Sequence, residues 1–346
     1  MGQPNLCSRH TPVFDGPAFL MCPPKLYDVD YVINPWMAGN VHRASREHAA
    51  MQWEQLQNAL QQVAKVLLVE PQPGWPDMVF TANAGLVRSG VVAMSRFLHP
   101  ERQGEEPHFR KWFDDLGFTV CDIPSATPFE GEGDALFEAE GLRLWAGHGV
   151  RTIQASHSRL ADLWGIEVIS LRLVDPRFYH LDTCFCPLTS GYLMYFPTAF
   201  DAESNAKIEY QYPKEYRIPV SEMDALSFAC NAINVGRHIL LNEISGNLSQ
   251  RLEGLGFLVV QVRLTEFLKA GGAAKCLALR LSELDATHSA AAGPRSSATA
   301  GSEQEVPRAD LGPGRAAAAA PAEGIEGGRD ARRLRRGKQA IQAKNV

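Results

Sequence analysis

The chain has 346 residues, 45% of them hydrophobic and 21% charged, with a formal net charge of −5. That is enough apolar material for a sizeable core, and the mild acidity lacks the basic stripe expected of a nucleic-acid binder. No apolar run reaches the roughly 18 residues of a membrane span. The N-terminal segment MGQPNLCSRHTP lacks the apolar stretch of a signal peptide. A first strand is predicted over FLMCPP (19–24) and a helix over 43–65, where Trp53, Leu56, Leu60 and Val63 recur on one face. VLLVE (66–70), VVAMS (91–95) and FTVCDI (118–123) read as strands, LFEAEGLRLWAG as a hairpin, and 153–164 as a helix. EVISLRLV (167–174), CFCPL, YLMYF, HILLN (238–242) and LVVQVRL (258–264) read as further strands, with helices over 222–234 and 246–254. The pattern is mixed α/β without a clean repeat. Near residue 285 the composition shifts to Ala, Gly, Pro, Ser and Arg, so 1–284 is expected to be one α/β domain and 285–346 a disordered tail.

Seven cysteines at scattered spacing, with no secretion signal, read as free thiols in a reducing cytoplasm. Phosphate-loop, dinucleotide, zincin and α/β-hydrolase motifs are all absent. Four local clusters remain. Trp75 to Gly85 holds Asp77, Phe80 and Asn83 between proline and glycine. Phe129-Glu130-Gly131-Glu132-Gly133-Asp134 separates acids by glycines, which lets backbone approach closely. Phe178 to Thr183 contains His180 and Asp182. Glu266 to Leu277 is a glycine turn followed by Cys276 at the start of an apolar strand. Singly, each has a plain alternative: a turn, a core histidine, a packed thiol. Cys184 and Cys186 beside one histidine lack a fourth metal ligand, so strand packing is favoured and neither metal nor cofactor is expected.

Together and in this order the clusters resemble the guanidino-group-modifying superfamily over about residues 19–284. The specific marks are P-D-x-V-F ending at Phe80, E-G-x-G-D at 130–134, H-x-D at 180–182 and G-G-x-x-K-C at 271–276. MCPPKLYDVDYVINPWMAGN and Asn83, where dimethylarginine hydrolases carry aspartate, are similar to the arginine dihydrolase branch. The resemblance implies a pentein fold, a five-fold pseudosymmetric α/β propeller. It also implies hydrolysis of the arginine guanidino group. Cys276 is then the nucleophile and His180 the acid/base, oriented by Glu130. Asn34, Asp77, Phe80, Asp134 and Asp182 line the guanidino pocket. Arg102 and Arg151 are candidates to hold the substrate α-carboxylate, because a guanidinium fork fits a carboxylate.

The chemistry of these residue types agrees with that assignment. A guanidinium carbon is a weak electrophile until acids hold its nitrogens and a thiolate sits above its plane. A thiolate is favoured beside a cation, which the substrate supplies. Asn83 has one acceptor and two donors, so it can match a neutral ureido group as well as a guanidinium. That predicts a second hydrolysis, giving ornithine, ammonia and carbon dioxide. Arginine deiminase, dimethylarginine dimethylaminohydrolase, an amidinotransferase and a non-catalytic guanidino-binding protein are the rival readings. Ala273 and Ala278 depart from relatives that often carry polar residues there. The expected partner is a small guanidino molecule rather than nucleic acid or membrane, and a homo-oligomer is left open.

Overall fold

A computed structural model describes residues 12–124, 126–138, 141 and 143–282. The predicted tail at 285–346 lies outside these residues. The described chain builds one supersecondary unit five times: two antiparallel strands, a helix, and a third strand parallel to the second. The second unit runs β3 (Gly85–Arg88), β4 (Val91–Met94), α2 (Pro100–Gln103), α3 (Glu106–Asp115) and β5 (Thr119–Cys121), following β1 (Ala18–Met21), α1 (Arg46–Gln61) and β2 (Lys65–Leu68). The third is β6 (Ala135–Phe137), β7 (Arg143–His148), α4 (Ser156–Trp164) and β8 (Glu167–Arg172). The fourth is β9 (Phe185–Pro187), β10 (Leu193–Tyr195), α5 (Ala202–Gln211) and β11 (Arg217–Pro219). After the short α6 (Glu222–Leu226), the fifth is β12 (Ile233–Val235), β13 (His238–Leu241), α7 (Gly246–Gly254) and β14 (Leu258–Gln261). A last helix, α8 (Thr265–Leu268), leads to β15 (Leu279–Arg280), which pairs antiparallel with β1, Phe19 opposite Arg280. The first unit is thus completed by the end of the domain, and the five three-stranded sheets are equivalent.

Local chemistry accounts for these elements. Ser45, Asp201, Ser221 and Ser245 cap α1, α5, α6 and α7 by accepting a backbone N–H three residues on. Trp53, Leu56 and Leu60 of the predicted α1 face are buried, together with Ala49, while Val63 falls past the helix end at Gln61 and is partly buried. The parallel crossovers cover the sheets with helices, and the middle strands β4, β10 and β13 are almost wholly buried.

The expected helix over 222–234 is the clearest correction. It stops at Leu226, Phe228 takes a left-handed φ of 58°, and 233–235 is a strand. Helical spacing there is overridden because Asn231 is tied elsewhere, as described below. Cys276 also departs from expectation. It lies in a turn three residues ahead of β15 rather than at the start of a strand.

Candidate active site

The turns that enter the first strand of each unit are joined in a ring. Asn83 Nδ2 donates to the Glu130 carbonyl at 3.4 Å, and the Leu181 N–H donates to Asp134 Oδ1 at 3.0 Å. Asn231 Nδ2 donates to the Asp182 carbonyl at 3.2 Å, and Asn231 Oδ1 accepts the Cys276 N–H at 3.1 Å. The Ala82 N–H donates to the Cys276 carbonyl at 3.1 Å, closing the circuit. Every one of the four sequence clusters therefore reaches the same centre, although residues 77 and 276 lie far apart in the chain. The ring leaves little room for side chains. A Cβ at Gly133 would stand 2.2 Å from Asn83 Nδ2 and 3.4 Å from the His180 ring, so only glycine fits.

His180 and Glu130, expected as the acid/base and its orienting acid, stand in contact. His180 Nε2 lies 2.7 Å from Glu130 Oε2, both residues are fully buried, and Arg151 Nη1 reaches the same oxygen at 3.0 Å. Burial alone would raise the Glu130 carboxyl. Arg151, the His180 hydrogen bond and Arg102 outweigh it and hold the group well below the usual carboxylate range. His180 Nδ1 is buried without a hydrogen-bond partner in the protein.

Cys276 is 2% exposed. Its thiol points at Asp182 Oδ2, 3.4 Å away, and accepts from Asn231 Nδ2 at 3.1 Å. Burial, then the Asp182 carboxylate, push the thiol well above its ordinary value, while the Asn231 donor opposes them. Asp182 and Asp134 are themselves pushed up by burial, to about 7 and about 6, and Asp77 is raised for the same reason. Asp77 Oδ1, Asp134 Oδ2 and Asp182 Oδ1 are buried oxygens with no donor from the protein. Tyr31 holds the other Asp77 oxygen at 2.9 Å.

A narrow pocket opens onto Cys276. Asn34, Asp77, Phe80, Asn83, Arg102 and Arg151 line it with Cys276, so seven of the eleven predicted residues share its wall. His180, Glu130, Asp134 and Asp182 do not line it and connect to it through the contacts above. The two arginines differ. Arg102 spends its fork on Glu105, at 2.9 Å twice, and gives further bonds to Asn83 Oδ1 and the Asp77 carbonyl, leaving one N–H. Arg151 uses only two N–H groups, on Glu130 and the Ile33 carbonyl, and stacks over Tyr179 at 4.7 Å. Asn34 caps its own turn, accepting from Trp36 and Met37 and donating to the Ala270 carbonyl.

The model of the eukaryotic N,N-dimethylarginine dimethylhydrolase family matches residues 30–282. The chain belongs to this family. It is 59% identical over 265 residues to the bifunctional arginine dihydrolase/ornithine cyclodeaminase AgrE of Nostoc sp., covering 77% of this chain and 38% of the relative. It is 37% identical over 264 residues to the N(G),N(G)-dimethylarginine dimethylaminohydrolase of Mycobacterium tuberculosis, covering 76% of this chain and 85% of the relative. The crystal structure of the N-terminal domain of ArgZ is that of a cysteine-to-serine mutant bound to substrate, an arginine dihydrolase from the ornithine–ammonia cycle in cyanobacteria. It superposes with a TM-score of 0.77 at 58% identity over 78% of this chain and 99% of that one. This chain spans less than two fifths of the length of the bifunctional relatives it matches. The five-unit propeller is the family fold.

Sequence reasoning missed three residues of this candidate site. Asn231 holds the Cys276 turn through three side-chain hydrogen bonds, including the Ala273 N–H at 3.1 Å, and reaches the Asp182 carbonyl with a fourth. A signal for it was present: Phe228-Ala229-Cys230-Asn231-Ala232 repeats the spacing of Phe80-Thr81-Ala82-Asn83-Ala84. Tyr179 packs its ring 4.7 Å from that of His180 and donates to the Gly271 carbonyl at 2.6 Å. Glu105, buried and raised to about 7 by desolvation, neutralises Arg102. Cys184 and Cys186 are buried around β9, as strand packing requires. Among the described residues, one group could hold a metal ion: Asp28, Asp30 and His42, half-buried to exposed and outside this pocket.

Proposed function

We propose that the chain is an arginine dihydrolase, converting arginine and two waters into ornithine, carbon dioxide and two ammonia molecules. The observation that carries this reading is a set of three buried carboxylate oxygens without a donor, from Asp77 in the pocket wall, Asp182 against Cys276 and Asp134 in the ring of entry turns. A guanidinium is planar, cationic and donor-only, so it satisfies such acceptors and compensates their charge. The same cation lowers the cost of a thiolate on Cys276, which burial otherwise keeps protonated. Cys276 Sγ attacks the guanidino carbon, and His180 protonates the departing ammonia. His180 then takes a proton from water, which displaces sulfur from the covalent thiouronium. Glu130 orients the imidazole and stabilises its cationic form. Arg151, with three uncommitted N–H groups, holds the α-carboxylate, and Arg102 sets Asn83.

Asn83 supports the second hydrolysis. Its Oδ1 accepts from Arg102, which can only donate, so its amide N–H groups are what it offers nearby acceptors. An N–H donor can hold the carbonyl of a ureido group; an aspartate cannot. The identity to AgrE and to the substrate-bound ArgZ domain supports the same assignment. The test is product analysis of arginine turnover. Wild type should give ornithine and ammonia without accumulating citrulline. Asn83→Asp should stop at citrulline, and Cys276→Ser should release no ammonia. Citrulline as the wild-type end product would make the enzyme a deiminase. Faster dimethylamine release from N,N-dimethylarginine would make it a dimethylarginine hydrolase.

A further inference from the structure

A second cavity, about 190 Å3 in volume, shares no lining residue with the pocket over Cys276. Neighbouring residues of the chain face the two sides. Lys275 faces the cavity while Cys276 faces the pocket, and Glu132 faces the cavity between Glu130 and Asp134 of the site. Among the described residues the charges that line it do not balance. Glu132 is committed to Lys275 at 2.6 Å and to the Arg280 N–H at 2.9 Å, and Glu138 to Arg143 at 2.7 Å. Two guanidinium groups remain. Arg280 is clamped over the Phe19 ring at 4.7 Å and donates Nη2 to the Asn234 carbonyl at 2.7 Å. Arg88 lies over the Phe137 ring at 5.0 Å. Each carries a buried Nη1 with no hydrogen-bond partner. Among the described residues neither has a carboxylate within ion-pair distance.

We propose that this cavity binds a small oxyanion, a carboxylate- or phosphate-bearing molecule, held by Arg88 and Arg280. An unpaired buried cation is costly, and a guanidinium that cannot lose its proton gains most from a bidentate oxyanion. Burial acts in the same sense on Arg280, destabilising its charged form. Stacking on Phe19 and Phe137 fixes both guanidinium planes in advance, which reduces the ordering cost of binding. The volume equals roughly six water molecules at about 30 Å3 each, enough for phosphate or a short dicarboxylate. The proposal does not depend on the reaction assigned to Cys276.

The experiment is calorimetric titration of the full chain with sodium phosphate and with succinate, chloride being exchanged to hold ionic strength constant. Crystals soaked in selenate locate the anion by anomalous scattering. One saturable site with a Kd of about 1 mM or tighter is expected for at least one anion, with selenate between Arg88 and Arg280. Arg88→Met and Arg280→Met should each weaken it at least about tenfold. Arg88 is half-buried, so its variant keeps the fold if Arg280→Met does not. Binding of only one anion supports the site and identifies its source. Absence of saturable binding in wild type, equal binding in Arg88→Met, or selenate confined to the pocket beside Arg102 and Arg151 would overturn the proposal.

Discussion

At the scale of single residues, Asn231 governs the geometry of Cys276. Its carbonyl oxygen takes two backbone N–H groups of the Cys276 turn and its amide reaches Sγ. Asn231→Ala orphans two buried donors, costing about 1–3 kcal/mol of stability. A merely structural loss would leave the thiol's acidity alone. Here the pH profile of iodoacetamide alkylation should move upward, because the Asn231 donor lowers the thiol's proton affinity. An unchanged profile would assign Asn231 to stability only. Gly133→Ala acts on the opposite wall. Its methyl group would sit 2.2 Å from Asn83 Nδ2, and displacing a positioned group by about 1 Å costs about 100-fold in rate. Measured kcat should fall by that order while the far-ultraviolet circular dichroism spectrum is retained.

At the scale of elements, α6 and α7 show how local rules and tertiary demands divide. Ser245 caps α7, and Asp224 of α6 accepts both its N–H and its hydroxyl, at 2.8 and 3.0 Å. Ser245→Ala should cost about 1 kcal/mol through the cap, with more from the lost hydroxyl bond to Asp224, whose Oδ2 keeps only the Ser221 hydroxyl. Urea unfolding checks this, and a loss below about 0.5 kcal/mol would count against the shared cap. The helix periodicity that runs on through 234 has no local stop signal. It is broken because Asn231 must face the Cys276 turn and Phe228 adopts positive φ to allow it. The entry turns of the other units were easier to read, because glycine, proline and acids punctuate them visibly.

At the scale of the molecule, the site concentrates buried acids. Asp182, Glu105 and Asp134 have folded values near 7, 7 and 6, above those of free carboxyls. The folded state therefore binds more protons than the unfolded one between about pH 4 and 7. By linkage, stability falls as pH rises through that window. Glu130 works in the opposite sense, with stability lost only in strong acid. Asp182→Asn should lessen the decline in unfolding free energy between pH 5 and 8 by at least about 1.4 kcal/mol, the value of one unit. Parallel urea titrations at the two pH values measure this. If the variant and wild type decline equally, Asp182 is already ionised in the fold.

Much of this protein could be read from its sequence. Nine apolar strands, α1, α4 and α7 follow from periodicity, helped at α1 and α7 by serine caps, because those signals depend on neighbours a few residues apart. The four motifs and the residue types of the site could be read likewise, since glycine next to acids and a thiol after a glycine turn are local chemistry. Contacts across the chain decided the rest. The pairing of β15 with β1, the hydrogen-bonded ring of entry turns, and the role of Asn231 join residues separated by up to the whole domain. The same contacts revised Asn83 and Arg102. From residue type, Asn83 offered an acceptor and Arg102 a free fork. Packing commits that acceptor to Arg102 and that fork to Glu105. A sequence specifies which donors and acceptors exist; only the folded arrangement decides which of them are already spent.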